Sequence, residues 1–236
     1  MAEKAAGLGI KRILVTPHVG RAFGTRPESP SRKIAVAIAQ LQADLDQSGI
    51  EIRLIPGAEL TLSSVDFVKR IIDEPWLTFG IKQRYLLVES PLNSWPEWAD
   101  QILFELSLQG IIPIIAHPER LVDVQKDPDF LRPLVERGAL LQITARSLVS
   151  SQREIKKACR ELLKLGFVSV IASDAHTSRH MMTCEVESEL TAIVGEVAAQ
   201  QILVENPRAI LAGDALMTSS PAPLRKKGLA HFFNRS

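Results

Sequence analysis

Short apolar runs alternate with amphipathic segments along the 236-residue chain. The clearest run, Ile111 to Ala116, is rich in β-branched residues and lies between Gly110 and a charged turn. A run of this kind is typical of a strand buried on both faces, as in a parallel sheet. The intervening segments keep a helical period, as in Ile34, Ile38, Leu41 and Leu45. Strands that alternate with helices predict an α/β fold with right-handed crossovers around a parallel sheet.

Six apolar runs predict six strands: Arg12–Thr16, Glu51–Ile55, Tyr85–Val88, Ile111–Ala116, Leu140–Thr144 and Val168–Ala172. Predicted helices cover about 2–8, 31–48, 64–73, 96–108, 130–137 and 152–165, and further ones begin near 186, 198 and 206. We expect one domain over residues 1–216, followed by a flexible basic tail over 217–236. Docking of the tail on an acidic partner or on a membrane surface is a minor alternative.

Five predicted strands end at a histidine or a carboxylate, and these residues are His18, Glu59, Glu89, His117, Asp174 and His176. In barrels and open α/β sheets, ligands bind at the carboxyl ends of the strands. One histidine at such a place is more often structural, but five endings of this type favour a metal site. Three imidazoles and three carboxylates suit two or three ions such as Mn²⁺, Fe²⁺ or Zn²⁺.

A multinuclear centre with nitrogen and oxygen ligands is typical of phosphoester hydrolysis, because the ions activate a water and hold the reacting oxygens. Arg120, just beyond His117, is placed to bind a phosphoryl oxygen. The alternative is that Arg120 pairs with a carboxylate ligand of the metal. Arg21, in the loop after His18, is a weaker candidate for substrate binding. We therefore expect Arg120 and His176 to be catalytic, and Arg120 and Arg21 to bind substrate.

Composition excludes several other classes of protein. Hydrophobic residues make up 46% and charged ones 23%, and the formal net charge of +1 gives no reason to expect nucleic acid as a partner. No apolar run approaches the roughly 20 residues that span a bilayer. The two cysteines, Cys159 and Cys184, form no disulfide framework, so a cytoplasmic location is expected.

Other phosphatase and nucleophile motifs are absent from the sequence. A cysteine phosphatase needs Cys-x5-Arg, but Leu165 stands six residues after Cys159, and Leu190 stands six after Cys184. Neither a Gly-x-Ser-x-Gly elbow nor a Gly-x4-Gly-Lys phosphate loop occurs. The metal-centred hypothesis therefore has no competitor among these nucleophilic mechanisms.

Several blocks together resemble the PHP (polymerase and histidinol phosphatase) superfamily, and most closely its bacterial metal-dependent tyrosine-protein phosphatases of capsule and exopolysaccharide loci. The blocks are Thr-Pro-His18, Pro-Gly-Ala-Glu59, Leu-Leu-Val-Glu89, Ile-Ile-Ala-His117-Pro-Glu-Arg120, Leu-Gln-Ile-Thr144 and Ile-Ala-Ser-Asp174-Ala-His176. A closing segment that runs from Glu205 to Gly213 also looks like the family's C-terminal helix. The resemblance covers about residues 2–213.

This resemblance implies a distorted seven-stranded β/α barrel with a trinuclear centre, commonly of manganese. The six strand-end residues would be its ligands, and Arg120 would bind phosphate. The implied substrate is phosphotyrosine on a tyrosine autokinase that controls polysaccharide export. A phenolate leaving group has a pKa near 10, so hydrolysis needs no strong general acid. Two alternatives stay open: a small-molecule phosphatase of the histidinol phosphate type, and a non-catalytic remnant that binds a partner. A homo-oligomer is also left open.

One departure from the family concerns the start of the chain. The family begins with a strand that carries His-x-His and, soon after, an aspartate, and none of these precedes the predicted helix at Ala2. We therefore expect an unpaired edge on the strand Ile13 to Thr16, partial metal occupancy and little activity from residues 1–236 alone. A misplaced start codon is the preferred explanation, and gene decay is the alternative.

Overall fold

The computed structural model describes residues 1–19, 30–63, 66–180 and 184–216. It has the α/β architecture that the sequence predicts. The predicted substrate-binding Arg21 and the predicted tail, 217–236, lie outside the described residues. No helix in the described ranges is long and apolar enough to cross a membrane.

Every pairing between strands is parallel. The strands are Arg12–Val15 (β1), His18–Val19 (β2), Arg53–Pro56 (β3), Glu59–Thr61 (β4), Tyr85–Glu89 (β5), Ile112–Ala116 (β6), Leu140–Thr144 (β7) and Val168–Ala172 (β8). The order β2-β4-β5-β6-β7-β8 makes one six-stranded sheet, and β1 pairs with β3 in a second sheet. Within the described ranges β1 has β3 as its only strand neighbour, so its other edge is unpaired, as predicted.

The prediction of six strands was wrong in its count, because each of the first two predicted strands is followed by a further short strand, β2 or β4. Pro17 follows β1 and Pro56 ends β3, and proline has no N–H to continue a ladder. Two hydrogen bonds join residues 15–17, where β1 passes into β2, to residues 57–59, where β3 passes into β4. The Gly57 N–H donates to the Val15 carbonyl at 3.0 Å, and the Glu59 N–H donates to the Pro17 carbonyl at 3.1 Å. His18 and Glu59 therefore lie on β2 and β4, beyond the predicted strands.

Helices connect the strands on the outside of the sheet. They are Ala2–Gly7 (α1), Pro30–Gln47 (α2), Phe67–Asp73 (α3), Ala99–Leu108 (α4), Val122–Lys126 (α5), Arg132–Glu136 (α6), Ala145–Leu148 (α7), Arg153–Lys164 (α8), Cys184–Val194 (α9), Glu196–Gln200 (α10) and Asn206–Ala212 (α11). A π-helical segment, Gln201–Glu205, joins α10 to α11. The sequence did not predict α5 and α7, which have five and four residues.

Both faces of the main sheet are buried, as the apolar runs predict. On β5, Leu86 and Val88 pack in the larger cluster with the outer helices, whereas Tyr85 and Leu87 pack in a second cluster on the opposite face. Side chains alternate along a strand, so Glu89 continues the row of Tyr85 and Leu87. We call the face that carries Tyr85 and Leu87 the inner face of the sheet. The alternation places the Glu89 carboxylate at the end of this inner face.

Candidate metal centre

Two neighbouring strands place their carboxylates at the same end of the inner face. Glu59 opens β4, and Glu89 ends β5. The Leu62 N–H donates to the Glu89 carbonyl at 2.9 Å, which extends the β4–β5 ladder to the site. Both carboxylates are buried, with 4% of each residue exposed. Buried carboxylates need partners, and the surrounding side chains supply them.

Two histidines contact the two carboxylates of Glu59 and Glu89. The His18 Nε2 lies 3.2 Å from one oxygen of Glu59, and the His117 Nε2 lies 3.1 Å from the other. Both imidazoles also approach the Oε2 of Glu89, at 3.9 Å for His18 and 3.6 Å for His117. Glu59 thus joins two imidazoles through its two oxygens, as a bridging carboxylate would.

His117 reaches this cluster through an unusual backbone conformation. Its N–H still donates to the Gln142 carbonyl at 2.8 Å, which continues the β6–β7 ladder by one residue. Its φ is then +36°, in the left-handed region that side chains other than glycine seldom adopt. Asp174, after β8, has a φ of +48°. Strained conformations of this kind occur preferentially at functional sites, and here both follow the carboxyl end of a strand.

The structure places Asp174 and His176 beside the cluster rather than within it. The rings of His176 and His18 are 6.0 Å apart, and a further 6.3 Å separates His176 from the ring of His180. The His176 Nδ1 lies 3.1 Å from the Asp174 carbonyl oxygen. A carbonyl can only accept, so Nδ1 carries the hydrogen, and Nε2 is the nitrogen that a neutral ring offers to a metal or a proton.

Arg120 binds the carboxylate of Asp174. Its Nη2 donates to Asp174 Oδ2 at 2.6 Å and to Thr144 Oγ1 at 3.0 Å. Two arrangements were predicted for Arg120: binding of a substrate phosphoryl oxygen, or an ion pair with a carboxylate ligand of the metal. The structure has the ion pair, and its carboxylate is that of Asp174. The Arg120 side chain is 42% exposed, so it is accessible from solvent.

Thr61, Glu119 and Thr144 had no predicted role, and their hydrogen bonds support the centre. The Thr61 hydroxyl donates to Glu89 Oε1 at 2.8 Å, and the Glu119 Oε1 accepts from the Thr144 N–H at 3.1 Å. Burial raises the pKa of Glu119, although the Ser147 hydroxyl and the Thr144 amide oppose this shift. Thr61 had a sequence signal, because it lies two residues after Glu59 and therefore on the same face of β4.

Cys159 has no part in this chemistry. It is fully buried on α8, and burial is the largest cause of a strongly raised thiol pKa. The charge of Glu119 raises that pKa further. A thiol in this state is not a nucleophile near neutral pH.

The donors present fit a divalent metal ion. His18, Glu59 and Glu89 each offer one ligand atom, and these atoms lie within 4.8 Å of one another. Imidazole and carboxylate donors suit Mn²⁺, Fe²⁺ and Zn²⁺. The Thr61 hydroxyl orients Glu89 in the way that outer partners orient metal ligands. The residues gathered at the strand ends are therefore a candidate metal centre.

Comparison with protein families gives a match over most of the chain. The family model described as "Capsular polysaccharide synthesis, CpsB/CapC" matches residues 1–212. The chain belongs to the CpsB/CapC family. This result confirms the resemblance drawn from the strand-end motifs.

Among curated relatives, tyrosine-protein phosphatase YwqE of Bacillus subtilis is 30% identical over 99% of this chain and 91% of its own length. The putative tyrosine-protein phosphatase CapC of Staphylococcus aureus is 31% identical over 75% of this chain and 68% of its own. Tyrosine-protein phosphatase CpsB of Streptococcus pneumoniae is 25% identical over 86% of this chain and 85% of its own.

A solved structure also has this fold. It belongs to the study of YwqE from Bacillus subtilis and CpsB from Streptococcus pneumoniae, which are described as unique metal-dependent tyrosine phosphatases. The TM-score is 0.83 at 28% identity, over 96% of this chain and 90% of the other. The fold and the family of this CpsB/CapC member are thus supported by independent comparisons.

Proposed function

We propose that this CpsB/CapC member is a metal-dependent phosphatase that hydrolyses phosphotyrosine on a protein. The observation that carries the proposal is the cluster in which Glu59 contacts both His18 and His117, with Glu89 beside them. The family relatives named as tyrosine-protein phosphatases support the choice of substrate. The buried, high-pKa thiol of Cys159 argues against a phosphocysteine route through that residue.

Manganese is the proposed ion, with Fe²⁺ or Zn²⁺ as alternatives. His18, Glu59, Glu89 and His117 would hold it, and Asp174 and His176 would serve neighbouring ions of a centre with two or three. Partial occupancy is expected, because Arg120 pairs with Asp174, which a neighbouring ion would need. A bound divalent ion supplies Lewis acidity, which lowers the pKa of a water and neutralises phosphoryl oxygens.

The protein's own residues have separate tasks in this proposal. Arg120 binds a phosphoryl oxygen, which its exposed guanidinium can reach. His176 is 61% exposed, and when its Nε2 binds no ion, this nitrogen can take a proton and pass it to the phenolic oxygen. Arg21 remains a proposed substrate-binding residue on the sequence argument alone. The buried carboxylates hold the two imidazoles in place.

The finer identity of the substrate is also a proposal. A tyrosine autokinase that regulates capsule or exopolysaccharide synthesis fits the family description and the phosphatase relatives. Such a substrate would be met in the cytoplasm. One catalytic domain over 1–216, followed by a basic segment, is the proposed organisation.

Hydrolysis of p-nitrophenyl phosphate and of a phosphotyrosine peptide by the purified chain tests this function. We expect weak turnover that requires added Mn²⁺, disappears with EDTA and survives treatment with iodoacetamide. Histidinol phosphate serves as the comparison substrate and should be hydrolysed more slowly. Alkylation-sensitive activity in EDTA would contradict the proposal, and so would a preference for histidinol phosphate.

A further inference from the structure

The guanidinium of Arg120 is held by two partners on one nitrogen. Its Nη2 has two hydrogens, and the bonds to Thr144 Oγ1 and Asp174 Oδ2 account for both. These two bonds leave the hydrogens on Nη1 and Nε for a further oxygen. The position of the guanidinium plane therefore depends on where Thr144 and Asp174 lie.

Thr144 is itself held in place. It ends β7, pairs with Ala172 of β8, and is 5% exposed. Its N–H donates to Glu119 Oε1, so the carboxylate replaces a strand partner at the point where the ladder stops. The hydroxyl that accepts from Arg120 and the amide that donates to Glu119 belong to the same residue.

Glu119 comes from the same short turn as Arg120. This turn, Pro118–Arg120, directly follows β6, and the Gln125 side chain donates to the Glu119 carbonyl at 3.0 Å. The Glu119 side chain is fully buried. A buried carboxylate is costly for folding, and proteins carry such costs mainly at functional sites. Its contact with Thr144 links the β6 turn to the end of β7 and so fixes both ends of the Arg120–Thr144 bond.

We infer that Thr144 and Glu119 are positioning residues for substrate phosphate: the Thr144 hydroxyl sets the place of the Arg120 guanidinium, and Glu119 holds Thr144. The inference rests on the proposed function for its substrate. Neither residue touches the phosphoryl group, and both act through Arg120. A purely structural role would lower stability without a selective effect on phosphate binding.

Variants at Thr144 separate the two roles. Thr144→Val keeps the shape and the backbone N–H but removes the hydroxyl, whereas Thr144→Ser keeps the hydroxyl. The Ki of inorganic phosphate and the KM for p-nitrophenyl phosphate should both rise about tenfold in Thr144→Val, the size expected for one lost bond to a charged group. We expect kcat to change less than KM, and Thr144→Ser to stay near the wild type.

Arg120 and Glu119 supply the second part of the test. In an Arg120→Ala background, Thr144→Val should leave the Ki of phosphate unchanged, because the group that Thr144 positions is gone. Glu119→Met, which removes the acceptor, should raise that Ki, and Glu119→Gln, which keeps one, should not. Thr78→Val is the matched control, because Thr78 is also buried and its hydroxyl donates to the Pro75 carbonyl before β5.

An NMR signature keeps this inference distinct from the proposed function. The side-chain NηH₂ signals of Arg120, assigned from their loss in Arg120→Lys, should show hindered rotation in the wild type and in Thr144→Ser but not in Thr144→Val. An aryl phosphatase assay that fails in the wild type would overturn the function, and these signals would still test the positioning. Equal signals in wild type and Thr144→Val, or additive effects of Thr144→Val and Arg120→Ala, would overturn the inference.

Discussion

The strands fall into two halves, β1–β4 and β5–β8, and the strands of the first half are shorter than those of the second. Each strand of the second half has five residues, and all five are buried on β5. The strands of the first half have two to four residues, and on β1 none is fully buried. The candidate metal centre takes His18 and Glu59 from the first half and Glu89 and His117 from the second.

This difference shows where the site depends on contacts between the halves. A bond from the Leu62 N–H to the Glu89 carbonyl and a bond from the Thr61 hydroxyl to the Glu89 carboxylate cross the β4–β5 boundary. Leu60 of β4 is fully buried, so apolar packing and these polar contacts together align Glu59. A metal ion bound by residues of both halves would stabilise the weaker half by mass action.

The largest contrast should appear when the same substitution is made in each half. Leu141 of β7 is fully buried, whereas Leu14 of β1 is partly buried. We expect Leu141→Ala to lower the free energy of unfolding by about 3–5 kcal/mol and Leu14→Ala by about 1–2 kcal/mol. Urea denaturation followed by circular dichroism measures both. Equal losses would show that the two halves are equally well packed.

The next largest effect concerns the residue that joins the halves chemically. Glu59→Gln removes a charge while it keeps the size of the side chain, and both histidines lose their carboxylate partner. Activity and Mn²⁺ affinity should each fall by more than about 100-fold, because a ligand is weakened, and the loss of only an outer partner of a ligand already costs about 10–100-fold. Glu51→Gln is the control, because Glu51 is exposed on the surface. Full metal binding by Glu59→Gln would remove Glu59 from the centre.

A smaller effect is expected at the β4–β5 boundary. Thr61→Val removes the hydroxyl that donates to Glu89 and preserves the shape of the side chain. Mn²⁺ affinity, measured by calorimetry, should fall about tenfold, as is usual when an outer hydrogen bond to a ligand is lost. Unchanged affinity would mean that Glu89 is oriented by the strand backbone alone.

The smallest effect tests the regular half at high pH. Tyr85, the only tyrosine of the chain, is buried on β5, and burial raises its pKa above 10.0. The charge of Arg84 opposes the shift, and that of Asp214 adds to it. The unfolded chain loses the phenolic proton first, so stability should fall as pH rises beyond 10.0.

Tyrosinate absorbance, together with unfolding measured at about pH 9 and about pH 11, checks the prediction for Tyr85. Tyr85→Phe should remove this part of the pH dependence, because phenylalanine has no ionisable group. The Tyr85 hydroxyl donates to the Asp214 carbonyl, so the variant also loses one hydrogen bond at every pH. Tyrosinate formation in the folded protein at pH 10.0 would contradict the burial argument.

The contrast between the halves also explains how far the sequence could predict the fold. The strands β5–β8 were predicted to within about one residue, because long apolar runs between glycine and polar turns leave little choice. The first two strands were predicted too simply. Their prolines interrupt the ladder, but which residues resume it beyond Pro17 and Pro56 depends on pairing between distant segments.

The donors of the candidate site were predictable from strand ends, but their contacts were not. The alternation of side chains within a strand needs only local sequence, but Glu59 and Glu89 share one face because the register pairs Glu59 with Leu87. The left-handed backbone at His117 and Asp174 and the contact between Arg120 and Asp174 depend on tertiary packing. Thr144 lies in the Leu-Gln-Ile-Thr144 block that resembles the family. Its bond to Arg120, however, depends on the pairing of β6 with β7.

The most direct test of the metal centre is an anomalous diffraction map from crystals of the chain grown with Mn²⁺. We predict an anomalous peak within metal–ligand bonding distance of the Glu59 and Glu89 carboxylates and of the Nε2 of His18 or His117. Occupancy below one would agree with the expected partial loading. A map without a peak at these residues, from crystals whose protein hydrolyses a phosphotyrosine peptide in Mn²⁺, would contradict the assignment of the centre.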